Sequence, residues 1–155
     1  MVPARCSVTA AAAGAVAPLR FGAIADVQYA DIDDAWNFRK TDRRRYRGAL
    51  ESLRMAVRDW SGGPALSFVA DLGDIIDQQC EVNADSRRCL AHVLEEWKPI
   101  AVPVLHLMGN HELYNFNREE CARLIPNGAP WYRSFRPMPG WRVLVLDAYE
   151  INVIE

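Results

Sequence analysis

The chain has 155 residues, of which 50% are hydrophobic, and its formal net charge is −2. This length suits one domain with a substantial core. This nearly neutral net charge does not indicate a protein that binds nucleic acid. No run approaches the ~20 apolar residues that cross a bilayer, so a soluble protein without a membrane span is expected.

The start of the chain is rich in alanine and contains no acidic residue before Asp26. We predict that residues 1–18 form a disordered leader and that the domain comprises residues 19–155. Because this segment lacks acidic residues, an organellar targeting segment is the alternative interpretation.

The cysteines show neither CxxC pairing nor zinc-finger spacing with histidine. This pattern favours free thiols in a reducing, cytoplasmic compartment. A disulfide between Cys80 and Cys89 is the alternative. The four cysteines are Cys6, Cys80, Cys89 and Cys121.

The predicted elements begin with residues 19–25, a short apolar run typical of a buried strand. Residues 31–47 are polar, aromatic and charged, and they indicate a long loop. Apolar residues then recur at roughly helical spacing over residues 50–60, and the Gly-Gly-Pro of residues 62–64 ends that helix.

A second apolar strand is predicted over residues 65–70, followed by a second helix over residues 90–97. A third strand covers residues 102–108. A hairpin follows, with residues 131–136 and 141–147 as its two strands.

This order of strand, helix, strand, helix, strand predicts an α/β fold. It implies a mostly parallel sheet with right-handed crossovers and helices on its faces.

Each of the three central strands is followed by a polar cluster. In open α/β sheets, ligands bind beyond the carboxyl ends of the strands. We therefore expect the three clusters to meet at one edge. They are Asp26-Val27-Gln28, Gly73-Asp74 and Gly109-Asn110-His111.

These clusters offer hard oxygen ligands, which suit magnesium, manganese or calcium. Two carboxylates that meet without a cation repel and raise each other's pKa, a penalty that divalent ions remove. The residue types therefore predict a metal site. Its expected ligands are Asp26, Gln28, Asp74 and Asn110.

Residues 73–77 (Gly-Asp-Ile-Ile-Asp) and 109–112 (Gly-Asn-His-Glu) resemble two motifs of the calcineurin-like metallophosphatases. The first cluster departs from that family, because Gln28 stands where most members have histidine. Gln28 and the aromatic, arginine-rich stretch through Tyr46 resemble the manganese-dependent ADP-ribose/CDP-alcohol diphosphatase branch.

The resemblance implies the N-terminal half of a metallophosphatase α/β sandwich with two divalent ions, Mn²⁺ being the expected metal. Asp26 and Gln28 would hold the first ion, and Asn110 the second. Asp74 would bridge both. The resemblance implies that His111 faces the scissile phosphate and that Asp77 orients its imidazole.

The implied function is hydrolysis of the pyrophosphate bond in nucleoside-diphosphate-linked substrates such as ADP-ribose and CDP-alcohols, by a hydroxide held between the ions. Phe38 is expected to stack on a nucleobase, and Arg43 and Tyr46 to contact the substrate. The alternatives are a solvated loop for the arginines and simple packing for the aromatic residues.

Other residues near the clusters are expected to have structural roles. Asp71 and Glu112 would orient the ligands by hydrogen bonding, and His106 would lie in the core.

The histidine motifs that the family carries further along are missing, so a fragment with little or no activity is expected. The chain is also expected to be a monomer. The alternative functions are another metallophosphoesterase, acting on phosphodiesters or phosphoproteins, and a non-catalytic truncated product.

Overall fold

The computed structural model describes residues 18–150, so nearly all of the predicted leader lies outside the described residues. This part of the chain contains seven strands and five helices. They are β1 (Phe21–Ile24), β2 (Ala35–Trp36), β3 (Arg43–Arg44), α1 (Gly48–Gly62), β4 (Phe68–Asp71), α2 (Gln79–Val82), α3 (Ser86–Glu96), β5 (Val104–His106), α4 (Asn110–Asn115), α5 (Arg118–Leu124), β6 (Arg133–Phe135) and β7 (Val143–Val145).

The central sheet is parallel and has the strand order β1-β4-β5. Phe21 pairs with Phe68 and Val69 pairs with Val104. The predicted α/β fold, with its three central strands in a parallel sheet, is confirmed.

The two long helices, α1 and α3, pack against each other. Their buried residues recur at helical spacing, as in Leu50, Leu53 and Val57 of α1. Such a stripe faces the core of a globular protein, while the charged side of the helix faces solvent. Both helices were predicted from this periodicity.

One face of β1 is covered by Trp60 of α1. A Cβ atom on Gly22 would lie only 2.8 Å from Cε2 of Trp60, so this position accepts no side chain without movement. The Trp60 ring stacks on Trp97 with centroids 6.0 Å apart, and Trp97 meets His106 edge-to-face at 5.6 Å. A layer of aromatic rings therefore connects the helices to the end of β5.

The other face of the sheet carries the Phe21–Phe68 stack, because successive strand residues point to opposite sides. Phe135 of β6 packs edge-on against Phe68 with centroids 5.2 Å apart. The predicted hairpin, formed by β6 and β7, thus lies against this face.

Five short elements were not predicted: β2, β3, α2, α4 and α5. The expected loop over residues 31–47 contains the two-stranded β2–β3 sheet, closed by a hydrogen bond from the Asn37 amide nitrogen to the Asp42 carbonyl (2.9 Å). Helices α2, α4 and α5 have four to seven residues, too few to show helical periodicity. No helix among the described residues is long and apolar enough to cross a membrane.

We expect Gly22→Ala to destabilise the fold by about 1–3 kcal/mol, because the added methyl group overpacks the Trp60 ring. Gly62→Ala is the matched control, since a Cβ there has no neighbour within 4 Å. Urea denaturation of both variants would measure the change. Equal midpoints for the two would contradict the proposed close packing of α1 on β1.

Candidate metal centre

The loops that follow β1, β4 and β5 are joined by backbone hydrogen bonds. The amide of Asp26 donates to the Gly73 carbonyl (3.1 Å), and that of Gln28 donates to the Asp74 carbonyl (2.9 Å). The Leu107 amide donates to the Asp71 carbonyl (2.8 Å). The three predicted clusters therefore meet at one edge of the sheet.

The side chains of Asp26, Gln28 and Asp74 form one hydrogen-bonded group. Nε2 of Gln28 donates to Oδ1 of Asp26 and to Oδ2 of Asp74, both at 3.2 Å. The second oxygen of Asp74, Oδ1, accepts from the backbone N–H of His111 at 3.0 Å. Asn110 immediately precedes that amide, so all four predicted ligands belong to the same loop assembly.

The backbone at this group is unusual. Asp26, Gln28 and Asp74 have φ values of 57°, 45° and 58°. Side chains other than glycine rarely occupy this left-handed region, although aspartate tolerates it better than most. Such outliers concentrate at functional sites, where the surrounding structure compensates for the strain.

Gly109 lets the third loop approach the Asp74 carboxylate. A Cβ atom on Gly109 would lie 2.1 Å from Oδ1 of Asp74 and 2.6 Å from its backbone nitrogen. Only glycine fits at this distance.

The Glu112 carboxylate connects the second and third loops. It accepts the backbone N–H groups of Gly109 (2.7 Å), Asp74 (2.9 Å) and Ile75 (2.7 Å). The side chain is buried, and loss of hydration raises its pKa to about 7 although the three N–H groups favour the charged form. Glu112 therefore joins the two loops by hydrogen bonds, and its role in orienting metal ligands stays a prediction.

Asp71 and His106 form a buried pair below the loops. Nδ1 of His106 lies 2.8 Å from Oδ2 of Asp71, and Oδ1 of Asp71 accepts from the Gly73 amide at 3.3 Å. Burial raises the pKa of Asp71 despite the hydrogen bond from His106. As predicted, His106 is a core residue and Asp71 a hydrogen-bonding one.

The His111 imidazole is held by the backbone. Its Nδ1 atom accepts the N–H of Gln78 at 3.1 Å. The Asp77 carboxylate lies 3.8 Å from the same nitrogen, too far for a hydrogen bond. Oδ2 of Asp77 instead pairs with Nη1 of Arg44 at 2.6 Å. The hydrogen bond that orients the ring therefore comes from Gln78, while Asp77 lies nearby and is paired with Arg44.

A cleft of about 470 Å³ opens beside His111 and Asn110. Phe38 and Tyr46, two of the predicted substrate contacts, are among its lining residues. Phe38 is fully exposed, whereas Tyr46 is mostly buried.

Arg43 does not line this cleft. Its guanidinium lies 5.8 Å from the Trp36 ring centroid, and its neighbour Arg44 faces the cleft instead. The alternation of side chains in β3 explains the difference. Side-chain alternation along a strand would have separated Arg43 from Arg44, but a strand of two residues is too short to be predicted from the sequence.

Tyr149 is a further residue at the site that was not predicted. Its hydroxyl lies 3.4 Å from Oδ1 of Asn110, and the segment is anchored by hydrogen bonds from Arg118 to Asp147 and to the Tyr149 carbonyl. Burial, with the nearby Asp74 carboxylate, raises the pKa of Tyr149. The two residues are 39 positions apart in the sequence, so no local sequence pattern predicts their contact.

The donor set fits a hard divalent cation. Two carboxylates and two side-chain amides provide oxygen ligands. The Gln28 NH₂ group already lies between the two carboxylates, and a half-turn of the amide would present its oxygen there. Within residues 18–150, no group of three or more histidine, cysteine, aspartate or glutamate side chains is arranged to hold a metal.

The fold and this loop assembly define an α/β domain that gathers oxygen-bearing side chains at one edge of its parallel sheet. The sequence profile of the calcineurin-like phosphoesterases matches residues 19–152, and the chain belongs to that family.

The similar proteins come from animals and plants. The manganese-dependent ADP-ribose/CDP-alcohol diphosphatase of Homo sapiens is 38% identical to the chain over 153 residues, and that of Arabidopsis thaliana is 40% identical over 138 residues. Each alignment covers 86% of this chain but only 44% and 43% of the relative.

A solved structure shows the same fold. The crystal structure of a dimetal phosphatase from Danio rerio superposes with a TM-score of 0.80 at 41% identity, over 84% of this chain and 44% of that one. The chain thus spans less than half the length of the proteins it matches.

We expect Glu112→Gln to destabilise the protein by about 1–3 kcal/mol. The glutamine NH₂ group would face backbone N–H donors and leave at least one without an acceptor. Glu119→Gln serves as the control, because Glu119 lies on α5 outside these contacts. Denaturant unfolding would measure both, and a Glu112→Gln variant as stable as the control would contradict the role of this carboxylate.

Proposed function

We propose that the chain carries the metal-binding part of a manganese-dependent phosphohydrolase that cleaves the pyrophosphate bond of nucleoside-diphosphate-linked substrates, such as ADP-ribose and CDP-alcohols. The observation that carries the proposal is the convergence of Asp26, Gln28 and Asp74 at 3.2 Å contacts. The names of the relatives support the metal and the substrate class.

In this proposal, Asp26 and Gln28 bind one ion, Asn110 binds a second, and Asp74 contacts both. Asp74 is suited to this because a carboxylate has two oxygens that can face two cations. Divalent ions, when bound, supply Lewis-acid polarisation of the phosphoryl oxygens and activation of a water nucleophile.

His111 would donate a proton or a hydrogen bond from Nε2. In the neutral ring one nitrogen accepts and the other carries hydrogen. Because Nδ1 accepts from the Gln78 amide, the hydrogen of the neutral ring belongs on Nε2. A developing negative charge on a phosphate oxygen would be stabilised by this donor.

The cleft beside His111 would hold the substrate. Phe38 is exposed and able to stack on a nucleobase, and Tyr46 forms part of the wall. Arg44 provides the positive charge inside the cleft, although its pairing with Asp77 uses part of its donor capacity. In this proposal Arg43 would contact the substrate only from outside the cleft.

Manganese binding tests the centre directly. We expect Asp74→Asn to weaken Mn²⁺ affinity at least ~10-fold, because loss of a ligand should cost no less than loss of a group that merely orients one. Asp33→Asn is the control, since Asp33 is exposed and pairs with Arg47 on the surface. Titration calorimetry would measure both, and equal affinities would remove the bridging role of Asp74.

Hydrolysis of ADP-ribose with Mn²⁺ tests the substrate class. Because the relatives are longer, the assay would use both the 155-residue chain and a chimera that continues into the C-terminal half of the Danio rerio protein. We expect the chimera to release AMP from ADP-ribose, and His111→Ala to lower its kcat ~10²-fold or more. Cleavage of phosphomonoesters or cyclic nucleotides, without ADP-ribose, would contradict the proposal.

The two neighbouring arginines provide a matched comparison in the same chimera. We expect Arg44→Ala to raise KM for ADP-ribose at least ~10-fold, because a charge-assisted contact to phosphate contributes about 1.5–3 kcal/mol. Arg43→Ala should have little effect, since Arg43 is not among the residues that line the cleft and its guanidinium lies over the Trp36 ring. The opposite order would restore Arg43 as the substrate residue.

A further inference from the structure

One peptide group beside the candidate centre is held at both ends by side chains of α4. This peptide joins Asp77 to Gln78. Its N–H donates to Nδ1 of His111 at 3.1 Å, and its carbonyl accepts from Nδ2 of Asn115 at 3.2 Å. His111 and Asn115 are four residues apart on the helix, so their side chains lie on the same face, one turn from each other. The peptide group therefore lies between these two side chains.

The Asn115 amide has one chemically consistent orientation. Its Nδ2 atom also donates to the His111 carbonyl at 2.8 Å, and its Oδ1 atom accepts from Oγ of Ser86, the first residue of α3, at 2.7 Å. Carbonyl oxygens only accept, so the amide nitrogen must face the two carbonyls, and the Ser86 hydroxyl then donates to the amide oxygen. Asn115 thus connects α4, the segment before α2, and α3.

The connection between this peptide and α4 is the part that matters for the imidazole. The Asp77 carbonyl also accepts the amide of Cys80 at 3.1 Å, but that hydrogen bond belongs to the turn that leads into α2. It fixes the peptide within its own segment and not relative to the helix that carries His111. The hydrogen bond from Asn115 supplies that second restraint, because Asn115 and His111 belong to the same helix.

We propose that Asn115 is a positioning residue for His111. By holding the Asp77–Gln78 peptide against α4, it keeps the Gln78 N–H on Nδ1 of His111 and leaves the hydrogen of the neutral ring on Nε2. Ser86 assists by orienting the Asn115 amide. His111 is the hydrogen donor in the proposed function, and the catalytic consequence of Asn115 rests on that function.

The tautomer of His111 can be measured in the 155-residue chain without substrate or metal. Nitrogen-15 labelling of the histidines and two-bond correlation spectra at pH ~8.5, where an ordinary histidine is neutral, distinguish the two tautomers. We expect the Nε2–H form in the native chain. Asn115→Ala should shift the ratio towards Nδ1–H about 2–10-fold, the range that corresponds to loss of one hydrogen bond. The chain has three histidines to assign: His92, His106 and His111.

Asn83→Ala is the matched control. Nδ2 of Asn83 donates to the carbonyl four residues earlier, that of Gln79, just as Asn115 does to the His111 carbonyl, but Asn83 is exposed and does not contact the Asp77–Gln78 peptide. We expect it to leave the tautomer ratio unchanged.

Ser86→Ala is the second test variant. It removes only the donor to Oδ1 of Asn115 and leaves the Asn115 side chain in place. We expect a smaller shift in the same direction, which keeps the test valid if Asn115→Ala does not fold. The His106 signals show whether the core is intact in each variant, because its Nδ1 atom is held by Asp71 at 2.8 Å.

Kinetics of the chimera test whether Asn115 acts through His111. We expect Asn115→Ala to lower kcat for ADP-ribose about 10-fold with little change in KM, because a misoriented donor is felt mainly in the transition state. In a His111→Ala background the same substitution should lower kcat no further, since no imidazole remains to be positioned. A residue with a merely structural role would lower kcat by the same factor in both backgrounds.

Three results would overturn the role of Asn115. They are a native His111 without a preference for Nε2–H, a tautomer ratio that neither Asn115→Ala nor Ser86→Ala changes, and equal losses of kcat in the two backgrounds. A chimera that does not cleave ADP-ribose would contradict the proposed function instead. The tautomer ratios would then still decide whether Asn115 positions the His111 ring.

Discussion

A single buried carboxylate determines how the loops of the candidate centre are arranged. Glu112 accepts one N–H from the start of its own helix and two from the loop after β4. Those three donors would otherwise be buried without acceptors, which costs about 1–3 kcal/mol each. Because the same loop carries Asp74 in a left-handed conformation, the carboxylate also compensates the strain at the proposed bridging ligand.

Much of the fold followed from patterns that a sequence shows locally. Apolar runs followed by polar residues gave the three parallel strands, and the spacing of Leu50, Leu53 and Val57 gave α1. The convergence of Asp26, Asp74 and Asn110 followed from sheet geometry, since the ends of parallel strands share an edge. These predictions depended only on neighbours in sequence.

The remaining features depend on contacts between distant residues. Arg43 and Arg44 are indistinguishable by composition, and only the pairing of β3 with β2 decides which one faces the cleft. Tyr149 reaches Asn110 because Arg118 anchors the segment that carries Tyr149. No local sequence pattern predicts either contact. The partner of His111 was likewise a matter of packing, since a backbone amide takes the position expected for Asp77.

Gln28 explains how two carboxylates can lie next to each other in these loops. Its amide carries two N–H groups, one for Asp26 and one for Asp74, whereas a neutral imidazole has a single N–H. With glutamine at this position both carboxylates have a neutral donor, so hydrogen bonds within the loops hold the three side chains together. A neutral histidine in its place could donate to only one carboxylate, and the other would need a donor from elsewhere to stay beside the first. Glutamine in place of histidine thus lets the two loops keep this side-chain arrangement with their own residues alone.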